Sequence, residues 1–116
     1  MDHTIKSVDN RLYRGYRIIS GKEGVKVNDL LIDAIKLFID RNTREIKKYP
    51  LHEDAIEREI IIKDIPDDLF RRLNKIVDME NQIIDDFIVK ALYEYVFDKE
   101  VDYRKELLNI EEDEFH

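Results

Sequence analysis

Apolar residues recur every three or four positions over two long stretches of the chain. Val27, Leu30, Leu31, Ala34, Ile35, Phe38 and Ile39 form one broad stripe, and Ile84, Phe87, Ile88, Ala91, Leu92, Tyr95 and Val96 form another. This is the pattern of an amphipathic helix laid on a core. Upstream of each stripe, Leu12, Tyr16, Ile19 and Leu69, Leu73, Ile76 predict a shorter amphipathic helix, over Arg11 to about Ser20 and Asp68 to about Met79. Each helix pair is preceded by a segment rich in Ile and Val, His3 to Val8 and Glu59 to Ile65, that predicts a strand.

The two strand–helix–helix units are copies. Sliding the chain by 57 residues without gaps lays Ile5-Lys6-Ser7-Val8 on Ile62-Lys63-Asp64-Ile65, and Leu12-Tyr13-Arg14 on Leu69-Phe70-Arg71. Asn28-Asp29-Leu30-Leu31 falls on Asp85-Asp86-Phe87-Ile88, and Ala34-Ile35 on Ala91-Leu92. Gly24 meets Asn81, the two residue types most at ease in the left-handed conformation that ends a helix. Asp9-Asn10 supplies capping chemistry before the first short helix, and Pro66-Asp67-Asp68 does so before the second. Asp67-Asp68 and Asp85-Asp86 therefore read as helix starts rather than as catalytic carboxylate pairs. Tyr13, Tyr16, Phe38 and Tyr95 read as core residues. The organisation expected is a first repeat over 1–41, a connector over 42–57, a second repeat over 58–98, and a tail over 99–116. The connector is charged, contains Pro50 and carries a potential short helix around Arg44 to Lys48. After Phe97 a further short helix is expected, with Val101, Leu107, Leu108 and Ile110 on one side and Glu111-Glu112-Asp113-Glu114 as a frayed acidic end.

A unit of about 40 residues cannot bury two amphipathic helices and a lone strand, whose backbone groups would also stay unpaired. Two units sharing a core, with their strands paired as an antiparallel ribbon, solve both problems. The fold class expected is therefore mainly α with a short antiparallel β-ribbon, the tandem units acting as a pseudo-dimer. The spacing leaves open whether the strands pair within one chain or between chains.

Composition narrows the chemistry. The chain has 116 residues, 41% of them charged, with three Gly, two Pro and no Cys. There is no thiolate chemistry, and His3, His52 and His116 lack metal-ligand spacing. No Gly-rich phosphate loop or nucleophile constellation is present. Neither an enzyme nor a cofactor or metal site is expected. No apolar run of about 18 residues spans a membrane, and no secretory leader is visible, so the expected compartment is the cytoplasm (that of the host, if the protein is viral). Net charge is −7, which by itself speaks against a polyanionic ligand. Its distribution is uneven: residues 1–50 carry a net +4 and residues 51–116 a net −11.

The segment Ile62-Lys63-Asp64-Ile65-Pro66-Asp67-Asp68-Leu69-Phe70-Arg71-Arg72-Leu73 and the helix pattern around Asn81 and Asp85-Asp86-Phe87-Ile88-Val89-Lys90-Ala91 resemble the ribbon-helix-helix transcription factors of the Arc, MetJ and CopG type. The likeness covers about 75 residues, both repeats but neither connector nor tail. A tandem pair in one chain is unusual for that family and is similar to regulators from viruses of hyperthermophilic archaea. The resemblance implies a sequence-specific, double-stranded DNA-binding transcriptional regulator whose ribbon enters the major groove. It also implies further copies adding along the DNA, and contact between the acidic tail and the transcription machinery. An antitoxin-like module whose tail binds a protein partner is the alternative, and a structural protein that has lost DNA binding is a third.

Residue by residue, the resemblance assigns base contacts to Thr4, Lys6, Ser7 and Lys63. Phosphate contacts go to Arg11, Arg14, Lys26, Val27 and Asn28. Simple alternation back from Pro66 and Asp9 would send Lys63 and Lys6 into the core and Ile5, Ile60 and Ile62 outward, a costly arrangement. A bulge or one-residue register shift that turns both lysines out is therefore expected. Asp64 would repel phosphate, which makes the first copy the better reader.

Overall fold

The computed structural model describes residues 1–41 and 56–114, with side chains described as far as Lys99. Among the described residues the order is β1 (His3–Asp9), α1 (Asn10–Glu23), α2 (Val27–Asp40), β2 (Glu57–Ile62), α3 (Asp67–Met79) and α4 (Ile84–Glu114). The connector helix expected around Arg44 to Lys48 lies outside the described residues.

Helix starts and stops follow the capping chemistry. Asp9 caps α1, its Oδ1 accepting the Arg11 backbone N–H at 2.9 Å. Asp67 and Asp68 occupy the first turn of α3, and Asp85 and Asp86 that of α4, where carboxylates favour the positive helix end. Gly24 (φ 68°) and Asn81 (φ 52°) both take the left-handed conformation after the short helices. Behind them the N–H groups of Val25 and Gln82 reach back to the carbonyls of Ser20 and Val77, at 3.3 and 3.0 Å. The same closing bond thus ends both short helices, 57 residues apart.

β1 and β2 pair antiparallel within the chain. Thr4 faces Ile61, its own counterpart in the repeat, flanked by His3 opposite Ile62 and Ile5 opposite Ile60. The register is therefore symmetric about one residue pair. Ile5, Val8, Ile60, Ile62 and Ile65 point to the core. There they join Leu12, Tyr16 and Ile19 of α1, Leu69, Leu73 and Val77 of α3, and the stripes of α2 and α4 in one continuous cluster. α4 packs most extensively on α1 and α2, the helices of the other unit. At the far end of α2, the Arg41 guanidinium binds the buried Glu94 at 3.1 Å and also Asp98, both on α4.

Two sequence expectations are corrected. β2 starts and ends earlier than Glu59 to Ile65, because Glu57 and Arg58 pair with Asp9 and Val8 while Lys63 and Asp64 leave the ladder. The separate helix after Phe97 does not exist, and neither does the frayed end: α4 runs unbroken to Glu114. The chain has no Gly or Pro beyond Pro66 to interrupt it.

Tyr16 sits at the centre of the core. It is stacked on Tyr95 with ring centroids 5.7 Å apart, and its hydroxyl donates to the Leu92 carbonyl at 2.7 Å. Burial, and secondarily Tyr95, push its phenol well above the ordinary value of 10.0. A raised acid constant favours the neutral, folded form, so this contribution is intact below the ordinary phenol range and is lost as pH rises above it. Tyr16→Phe should cost about 1 kcal/mol at neutral pH. Thermal melts of the variant should fall less steeply in alkali than those of the wild type; parallel alkaline slopes would contradict the assignment.

Candidate nucleic-acid interface

The outer face of the ribbon is built by one departure from alternation, made twice. Between the pairs Ile5–Ile60 and Val8–Arg58 the register slips, so that Lys6 and Ser7 are both exposed while Ile5 and Val8 are both buried. The second copy repeats this: Lys63 and Asp64 are exposed between buried Ile62 and Ile65. There the slip is closed by backbone bonds between Ile65 and Met1, 2.9 Å from the Ile65 N–H and 3.2 Å from the Met1 amino group. Asp64 adopts φ 56°, and its N–H is held by Asp2 Oδ1 at 2.9 Å. The bulge expected from the cost of burying lysine is present. All four residues expected to read bases (Thr4, Lys6, Ser7 and Lys63) are exposed and share one face.

That face also carries residues the sequence reasoning missed. With Ile60 and Ile62 inward, Glu57, Glu59 and Ile61 point outward, Ile61 being 46% exposed. Counting with the bulge included would have found them. The Ser7 hydroxyl donates across the ribbon to Glu57 Oε2, whereas the ammonium groups of Lys6 and Lys63 make no hydrogen bond or ion pair among the described residues.

The residues expected to grip phosphate divide. Lys26 is exposed at the N-cap of α2, and Arg14 is exposed on α1. Arg11 departs from the expectation. Its side chain is only 13% exposed and turned toward Asp9, with Nε 4.0 Å from Oδ1. Its neighbour there is Tyr93, whose phenol is pushed up by burial and Asp9 and partly pulled back by Arg11. Val27 is half-buried against the core. Asn28 also departs from a free contact: its Oδ1 accepts the Lys63 N–H and its Nδ2 donates to the Lys63 carbonyl, both at 2.8 Å. The side-chain amide thus completes the backbone bonding of the residue that leaves the ladder. It also seats the start of α2, with Lys26, beside the Lys63 end of the ribbon.

The start of α4 is tied elsewhere, through Asp85 Oδ1 and His3 Nε2 at 2.7 Å. The two flanks therefore differ: one helix start carries Lys26, the other Asp85 and Asp86. Beside β2, Tyr13, Val27, Asn28, Arg58, Ile61 and Lys63 line an open groove of about 350 Å³. In it the Arg58 guanidinium lies 3.7 Å over the Tyr13 ring, a cation–π contact. Among the described residues no acid or histidine cluster could hold a metal, and no helix is long and apolar enough to cross a membrane.

Comparison of the chain with protein-family models, curated proteins and solved structures returned no match.

Asn28→Ala should cost about 1 kcal/mol, since the lost bonds are exposed and water replaces them in part. Hydrogen exchange at the Lys63 amide should accelerate, while amides of α1 stay protected. Unchanged exchange at Lys63 would show that the clamp does not hold in solution.

Proposed function

We propose that this chain is a sequence-specific double-stranded DNA-binding regulator that lays the outer face of the β1–β2 ribbon in the major groove. The observation that carries the reading is the doubled bulge. It turns Lys6 and Lys63 away from the core onto one exposed ribbon face, with Thr4 between them on the ribbon's centre. A two-stranded ribbon is narrow enough for the major groove, and lysine ammonium groups there meet the O6 and N7 acceptors of guanine. Lys26 and the free backbone N–H groups at the start of α2 supply a phosphate grip on one flank. The resemblance of both repeats to ribbon-helix-helix regulators points the same way.

The net charge of −7 works against loose electrostatic binding, so base contacts carry a larger share of the affinity than in a basic protein. Since one chain supplies both strands, the minimal complex is one chain per groove site.

A gel shift on the protein's own upstream region tests the reading. Affinity should fall steeply with added salt. Lys6→Ala should weaken specific binding by about 1–3 kcal/mol and by more than Lys63→Ala, because Lys63 shares its bulge with the phosphate-repelling Asp64. Equal losses would refute this asymmetry, and no shift on any duplex at low salt would refute the function.

A further inference from the structure

On the outer face of the ribbon each bulge sets two residues against one. Lys6 and Ser7 face the single residue Glu59, between the Ile5–Ile60 and Val8–Arg58 pairs. Lys63 and Asp64 face the single residue Asp2, between the His3–Ile62 pair and the Met1–Ile65 bonds. The 57-residue shift that maps Lys6 onto Lys63 also maps Asp2 onto Glu59. A lysine beside an acid is thus a repeated feature of the surface.

The two acids are used differently. Asp2 spends an oxygen on the Asp64 N–H, holding the second bulge in shape. Glu59 is exposed, and its carboxylate makes no hydrogen bond or ion pair among the described residues. It therefore has no part in building the ribbon, and it faces the same way as Lys6.

We infer that Lys6 and Glu59 act as a donor–acceptor couple that reads a guanine and a nearby cytosine. This deepens the DNA-binding reading above and rests on it. The Lys6 ammonium donates to guanine O6 and N7, and the Glu59 carboxylate accepts from the cytosine N4 amino group. Cytosine fits better than adenine because the adenine N6 amine adjoins the N7 acceptor, which repels a carboxylate, whereas cytosine offers a donor alone. Against the phosphates an acid is only repelled; on the groove floor it finds amino donors, and the adjacent lysine offsets its charge. Thr4 and Ile61, the central pair, present methyl groups suited to the thymine C5-methyl.

The test is selection of bound duplexes from a randomised pool by the full chain and by Glu59→Gln, followed by gel shifts on the selected duplex and its single-base variants. Glu59→Gln keeps the shape of an exposed side chain, and circular dichroism verifies its fold. The wild type should enrich a cytosine at one position, and Glu59→Gln should lose about tenfold of the discrimination there while leaving other positions unchanged. Two outcomes would overturn the couple while leaving DNA binding intact. One is a uniform rise in affinity for every duplex, the mark of a mere repulsive charge; the other is a wild-type consensus that survives Glu59→Gln intact. Failure of the wild type to enrich any sequence would overturn both the couple and the reading beneath it.

Discussion

The backbone pairing of β1 with β2 is the interaction on which the rest of the architecture depends. A single strand flanked by helices has nowhere to place its N–H and C=O groups, and neither unit can cover its own apolar stripes. Pairing the two strands satisfies the ladder and places α4 across α1 and α2 of the other unit. The register then follows from what must be buried. With Thr4 opposite Ile61, the residues Ile5, Ile60 and Ile62 all fall on the core side, and a slip of one residue would expose every one of them.

The bulges arise from the same demand. Val8 and Ile65 are needed in the core, yet each stands three residues from Ile5 or Ile62, the wrong parity for a regular strand. Inserting one extra residue restores the parity, and the residues displaced outward are those most costly to bury. The means of holding each insertion differ: Ser7 reaches Glu57 in the first, while Asp2, Asn28 and a left-handed Asp64 fix the second. Backbone shape is shared by the two copies, and side-chain support is not.

Much of this was legible in the amino-acid order because the signals are local. The stripes of α2 and α4, the Asp9 cap, and the left-handed stops at Gly24 and Asn81 all depend on neighbours a few positions away. The bulge was legible too, from the conflict between alternation and the position of two lysines. What escaped depends on partners far along the chain. Nothing near Asn28 announces that its amide binds Lys63, 35 residues away. Nothing near Arg11 shows that Asp9 and Tyr93 turn it from the surface. The end of α4 was misjudged for the opposite reason: a run of charges was read as a stop, although charge alone interrupts no helix. Glu59 was overlooked because the strand was counted without its own irregularity.

Joining both strands of the ribbon in one polypeptide has a consequence for how the protein persists and changes. Assembly of the shared core is a first-order event, so its stability is indifferent to dilution, unlike that of an obligate two-chain complex. A substitution in one unit also leaves the other untouched, whereas in a homodimer every change is made twice. The contrast between Asn28 and Asp85 at the two long-helix starts is the visible product of that freedom. A homodimeric reader matches a palindrome, since target symmetry mirrors protein symmetry; a chain with unlike halves is released from that requirement.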